Sequence, residues 1–209
     1  AEILDGDSKL TYVKRYAVQV VDSSGVAAKD VQVSAQVDLL TYYKGEWTFQ
    51  AAADRWVQSV RATCANEDLN RNGVSETLAN GVIEDANGSF NRTAGRPALE
   101  PRKADVAVSF EGGISKTNES GIVVIRIEYP MNVASWVYFN VVVGASGIAG
   151  TEGRANFEGV LPVAAAAVTK KDLPPPFQIS PYGLHASAVT PGSLPIAGAK
   201  IVMLCTNPD

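Results

Sequence analysis

Val31-Gln32-Val33-Ser34-Ala35-Gln36-Val37-Asp38-Leu39 alternates apolar and polar side chains without a break. A period of two places Val31, Val33, Ala35 and Val37 on one face of an extended chain and Gln32, Ser34, Gln36 and Asp38 on the other, as in a half-buried β-strand. Upstream, Leu10 to Val21 (LTYVKRYAVQVV) reads as a long strand that the cluster Asp22-Ser23-Ser24-Gly25 turns back. Downstream, Tyr42, Tyr43, Trp47, Phe49, Trp56 and Val57 suggest two shorter strands or a ribbon, with Lys44-Gly45 as the turn. Strand character returns at Val106 to Phe110, Gly121 to Tyr129, Ala134 to Val143 and Thr151 to Val160, with Gly112-Gly113 and Asn118 to Gly121 as turns. Many strands without intervening helical periodicity predict an all-β protein, an antiparallel sandwich. Trp136, on an alternating strand, is expected in its core.

Past Val168, Pro174-Pro175-Pro176 is extended and unfit for a central strand, so residues 169–209 read as a strap over the sandwich, closing with a last strand at Ala199 to Leu204. No internal repeat of 20 to 50 residues occurs, and no boundary splits residues 1–209 into two domains.

The composition narrows the function classes. The 209 residues are 46% hydrophobic and 19% charged, with 18 Lys and Arg against 22 Asp and Glu for a net charge of −4. That balance offers no surplus to neutralise a phosphate backbone, so nucleic acid is not an expected partner. The longest apolar stretch, Val160 to Val168, is broken by Pro162 and is too short for a membrane span. The chain opens at Ala1 without a basic and apolar leader, as a mature secreted protein or an excised fragment would. His185 is the single histidine, lies in a Pro, Ser and Gly-rich tail, and has no G-x-S-x-G elbow to serve, so it reads as a surface imidazole. No enzyme is expected.

From Cys64 to Arg102 the apolar content falls and Asn, Asp, Glu and Gly take over, which is too long and too polar for an ordinary connection. Within it, Asp68-Leu69-Asn70-Arg71-Asn72-Gly73-Val74-Ser75-Glu76 sets oxygen-bearing side chains at every second position before a glycine. This is D-x-[DN]-x-[DN]-G, the spacing with which a loop wraps a calcium ion: Asp68, Asn70 and Asn72 converge, Gly73 turns, and Val74 offers its carbonyl. The twelfth position is Ala79, not a bidentate glutamate, so Glu76, Glu84 or Asp85 must complete the shell. Glu84 to Asn91 itself looks like a shortened second loop, with Asp85 and Asn87 as ligands. Two adjacent sites, or one shared by both segments, fit the spacing. The bland alternative is a solvated loop of Asx-turns. Sequons at Asn87, Asn91 and Asn118 are taken as coincidental.

Cys64 and Cys205 are the two cysteines. In a secreted-looking chain they are expected to form one disulfide, the alternative being two buried thiols in a reducing compartment.

Val18 to Gly25, Val31 to Ser34 and Thr117 to Val124 resemble the strand ends and hairpins of bacterial Ig-like domains of invasin and intimin type. The order Tyr43-Lys44-Gly45, Trp56, Cys64 to Gly73, Glu84 to Gly88, Tyr129-Pro130, Trp136-Val137, Gly150-Thr151-Glu152, Pro175-Pro176-Phe177 and Ser180 to Gly183 is similar to a terminal Ig-like domain of large secreted or surface-attached proteins of Gram-negative bacteria. The sequence departs from such relatives by extra residues around Thr77 to Val82 and by the shortened second loop. The resemblance implies an Ig-like sandwich on the outside of the cell, structural or adhesive, with no catalytic residues to transfer. Independently of the resemblance, the expected partners are neighbouring surface domains or other copies of the chain, even as a filament subunit in which the strand-like Leu10 to Val21, preceded by the polar arm Ala1 to Lys9, adds to another subunit's sheet edge. The alternative is a glycan-binding module that stacks sugars on exposed Trp47, Trp56, Tyr42 and Tyr43.

Overall fold

The computed structural model describes residues 2–3, 10–90, 99–146, 153–184, 189–192 and 202–207. Outside them lie His185, Asn91, most of the arm before Leu10, the Gly150-Thr151-Glu152 stretch and the first residues of the expected last strand. The strands, in order, are β1 (Glu2–Ile3), β2 (Thr11–Gln19), β3 (Gln32–Gln50), β4 (Arg55–Ala65), β5 (Ala107–Phe110), β6 (Ile122–Pro130), β7 (Val137–Ser146), β8 (Gly153–Val160), β9 (Val189–Gly192) and β10 (Val202–Cys205). They make two four-stranded sheets, β1-β2-β6-β5 and β4-β3-β7-β8, and a separate β9-β10 pair; every pairing is antiparallel. Among the described residues the helical pieces are single 3-10 turns.

Alternation puts the two sheets face to face. Along β6, Val123, Ile125, Ile127 and Tyr129 are buried and their neighbours half-buried; along β7, Val137, Phe139, Val141 and Val143 repeat the pattern. They join Tyr12 of β2 and Val33, Val37 and Leu39 of β3 in one apolar core. Trp136 sits in it at 0% exposure, edge-on to Trp47 at 6.4 Å between ring centres.

Two local readings are corrected. Lys44-Gly45 is not a turn: β3 runs straight through it, and the reversal comes at residues 51–54. The ladder to β4 shifts register at this dipeptide, a β-bulge. Gly45 has φ of 148°, and a Cβ there would stand 2.0 Å from the Ser59 carbonyl oxygen, so the glycine answers to close approach of the partner strand. The second correction is at Ala134: a 3-10 turn at Met131–Val133 and a positive φ at Ser135 delay β7 until Val137.

The strap lies against the bulged part of β3. The Trp47 N–H donates to the Gln178 carbonyl at 2.8 Å and the Ser180 N–H to the Gly45 carbonyl at 2.9 Å; just before the strap, the Val168 carbonyl accepts the Trp56 N–H of β4 at 2.8 Å. Strand β9, unforeseen in the sequence because Pro191 interrupts its pattern, pairs with β10. Lys44, fully buried, donates from Nζ to the Asn207 carbonyl, so the bulge also holds the end of the tail.

Candidate functional site: the polar insertion

The insertion leaves the end of β4, where Tyr42 pairs with Cys64 and Thr41 with Ala65. Cys64 is disulfide-bonded to Cys205, with Cα atoms 5.4 Å apart, as expected from the sequence. Around this bond a small second apolar cluster of Ala65, Leu69 and Leu204 gathers Leu78, Val82 and Ala86. Polar clamps fix the root to β3. Asn66 donates from Nδ2 to the Leu39 carbonyl at 2.6 Å, and Arg71 donates from Nε to Asp38 at 2.8 Å and from its terminal nitrogen to the Asp68 carbonyl.

The first loop closes on itself through its own side chains. Asp68 Oδ2 accepts the Gly73 N–H at 3.1 Å, Asn70 Oδ1 the Asn72 N–H at 3.0 Å, and Asn72 Oδ1 the Val74 N–H at 2.7 Å. Positive φ at Arg71 and Gly73 gives the bend. Glu84 reaches in from the following segment, and its Oε1 accepts the N–H groups of Leu69 at 2.9 Å and Asn70 at 3.3 Å. So Asp68, Asn70, Asn72, Glu76 and Glu84 are brought together, while Asp85 and Asn87 belong to the second loop. The expected inward convergence of the two amide oxygens differs in detail. Asn70 and Asn72 use their oxygens on backbone N–H groups and donate from Nδ2 to Glu76 Oε1 at 2.6 and 2.7 Å, because a carboxylate is acceptor-only. Among the described residues no three Asp, Glu, His or Cys side chains converge as a ready-made metal cage, so an ion would also need amide or main-chain oxygens.

Two carboxylate oxygens at this loop, Asp68 Oδ1 and Glu84 Oε2, are buried without a hydrogen-bond partner among the described residues. Glu84 is fully buried. Burial pushes its carboxyl above the usual range; the Asn70 and Leu69 N–H groups oppose the rise, and the Asp68 and Glu76 charges add to it.

The second loop repeats the first in register. Asp85 Oδ1 accepts the N–H five residues on, at Phe90, as Asp68 does at Gly73; Asn87 Oδ1 accepts the N–H two residues on, at Ser89, as Asn70 does at Asn72. Asn87 then donates from Nδ2 to Glu100 Oε2 at 3.1 Å. Glu67, absent from the expected ligand set, is drawn into the same place. Its Oε2 accepts the Glu100 N–H at 3.0 Å, its own N–H donates to the Glu100 carbonyl at 2.8 Å, and its Oε1 is buried without a hydrogen-bond partner among the described residues. Burial pushes the Glu67 carboxyl up to about 8; the Glu100 and Asp85 charges add to the rise, against the Glu100 N–H and Lys44. The sequence did carry a signal for Glu67: Glu-Asp-x-Asn occurs at 67–70 and again at 84–87.

The aromatic platform does not form as a surface. Tyr42 is fully buried and Trp47 is 7% exposed, while Trp56 is held by its Nε1 donating to the Lys170 carbonyl at 2.8 Å. No helix among the described residues is long and apolar enough to cross a membrane. Protein-family models, curated proteins and solved structures were all compared with this chain, and none matches.

Proposed function

We propose that this chain is a calcium-stabilised, non-enzymatic module of the extracellular surface, Ig-like in type and structural or adhesive in role. One observation carries the reading: Asp68 Oδ1 and Glu84 Oε2, both buried at the first loop, have no hydrogen-bond donor among the described residues. A buried acceptor left unsatisfied costs about 1–3 kcal/mol, and more when charged. A hard divalent cation satisfies such oxygens without nitrogen or sulfur ligands, which suits a loop of carboxylates, amides and main-chain carbonyls. The role is stabilising because, among the described residues, the insertion's own apolar cluster is the small group of Ala65, Leu69 and Leu204. The disulfide supports the reading of an oxidising, extracellular compartment, where such bonds persist. Assembly with further copies by strand addition suits β8, which among the described residues pairs only with β7 and is exposed along most of its length.

The test compares thermal unfolding and limited proteolysis of the chain with calcium and with a chelator. At a hundredfold excess over its dissociation constant a bound ion stabilises by about 2.7 kcal/mol. Cutting between residues 66 and 101 is expected to rise first on chelation, ahead of global unfolding. Identical profiles in both conditions would sink the calcium reading. The buried Trp47 and Tyr42 leave the glycan reading without its platform, so no second function is advanced.

A further inference from the structure

We infer that two copies of this chain join edge to edge through β8, antiparallel about a two-fold axis at Asn156, so that two four-stranded sheets become one. The inference rests on the proposed assembly through β8 and deepens it, naming the symmetry, the register and the side chains that select them.

An open sheet edge is a template for another strand, and native edges are blunted by shortness, proline, lysine, a bulge or a cover. Among the described residues the other edges are blunted in these ways. β5 has four residues between two 3-10 turns, β1 has two residues, and β2 beyond it carries Lys14. β4 is flanked by β10 and gives its Trp56 N–H to the Val168 carbonyl. β8 differs. Its eight residues contain no proline or lysine, pair with β7 in an unbroken register, and are exposed at every position except the half-buried Gly159.

The inner neighbour decides which backbone groups this edge offers. The Leu161 N–H donates to the Val137 carbonyl at 2.9 Å. In an antiparallel ladder a residue turns its N–H and C=O to the same side, and successive residues alternate. Leu161, Gly159, Phe157 and Ala155 therefore face β7, while Val160, Glu158, Asn156 and Arg154 turn theirs outward. An axis at Asn156 sets Arg154 across from the second copy's Glu158, Glu158 across from its Arg154, and the two Asn156 residues across from each other. Each of these pairs exchanges two backbone hydrogen bonds, and opposite charges stand directly opposed. An axis at Arg154 or at Glu158 would oppose like charges, and an axis at Ala155 or Phe157 would part Arg154 from Glu158. Both side chains are exposed; Glu158 also accepts from the Tyr138 hydroxyl at 3.3 Å.

The same register suits the inner face. Ala155 and Phe157 stand opposite Val143 and Val141 of β7, on the side that meets the second sheet. Phe157 is half-exposed, its ring centre 5.1 Å from that of Tyr16 and 6.1 Å from that of Phe139, at an apolar groove lined also by Val18 and Ile125. The axis brings the second copy's Ala155 directly across from Phe157, small against large, and does so twice. Residues opposed in an antiparallel pair share a face, so charge meets charge outside and apolar meets apolar inside. Such an interface uses one patch on both copies and closes with two.

Sedimentation velocity of the whole chain across a concentration series should show a reversible dimer. Arg154→Glu and Glu158→Arg each oppose like charges at both pairs and should each raise the dissociation constant roughly tenfold or more, with circular dichroism unchanged. Mixed in equal amounts, the two variants should form a heterodimer as tight as the wild-type dimer, because each supplies the charge the other lacks. Asn156→Cys, in a chain whose native cysteines are bonded to each other, should give a covalent dimer on mild oxidation. Variants that dimerise as the wild type does, a mixture that recovers nothing, or a dimer that Asn156→Cys does not cross-link would overturn the register. An open series of larger species would overturn the two-fold closure and leave assembly with further copies standing. A wild type that stays monomeric would remove both. None of these outcomes bears on the calcium reading, which stands or falls on the unfolding and proteolysis profiles with and without chelator.

Discussion

The sandwich and the insertion, residues 64–102, are ordered by opposite means. Between the sheets, Tyr12, Ile125, Ile127, Val137, Phe139 and Trp136 leave water for one another, and each contributes in proportion to the apolar area it hides. In the insertion the fully buried side chains include Glu67 and Glu84, with Asp68 and Asn87 close behind, and order comes from side chains capping backbone N–H groups. The difference predicts independence of response. Packing should govern the first region whatever the ion content of the solution, and charge compensation should govern the second.

The largest expected effect tests the first half of that contrast. Trp136→Ala empties the centre of the core and should cost about 3–5 kcal/mol, read as a lower urea midpoint of the same size with calcium or with chelator. A loss that grows sharply on chelation would show that the regions are coupled. Replacing Cys64 and Cys205 together by alanine removes the covalent joint between them. It should cost roughly 2–5 kcal/mol and should raise protease cutting in the insertion and in the tail alike. Gly45→Ala sets a Cβ against the Ser59 carbonyl oxygen at 2.0 Å in a backbone shape that side chains resist. A loss of roughly 2–3 kcal/mol is expected, with faster cutting between 169 and 184 because Gly45 also anchors the strap; unchanged cutting there would separate bulge from strap. The smallest effect belongs to Arg71→Ala. Its pair with Asp38 is partly solvated, so global stability should fall by less than about 1 kcal/mol, while amide hydrogen exchange across residues 68–74 speeds up.

The strands were largely legible because a buried face imposes a period of two on the residues themselves: Val31 to Leu39 gives the register of β3 at sight. Lys44-Gly45 misled because a turn and a bulge ask the same thing of the chain, a residue free of Cβ, and only the partner strand at Ser59 distinguishes them. The oxygen spacing from Asp68 to Gly73 identified the first loop for the same local reason. Glu100 escaped because its part in the site is set by contact with Glu67, 33 residues away, which no spacing rule encodes.

The Cys64–Cys205 bond also decides how the chain bears tension. The two cysteines are separated by 141 positions, so everything between them forms a closed ring in the covalent structure. A pull applied at residue 10 and residue 207 runs along the chain to Cys64, crosses the sulfur bridge and leaves through the last residues of the tail. The ring, with both loops inside it, is out of the load path, and about 480 Å of contour length stays hidden. Only residues 10–64 can pay out, about 180 Å when fully extended. Stretched singly, the molecule should lengthen by that shorter amount until a reductant opens the bridge and the hidden length is released.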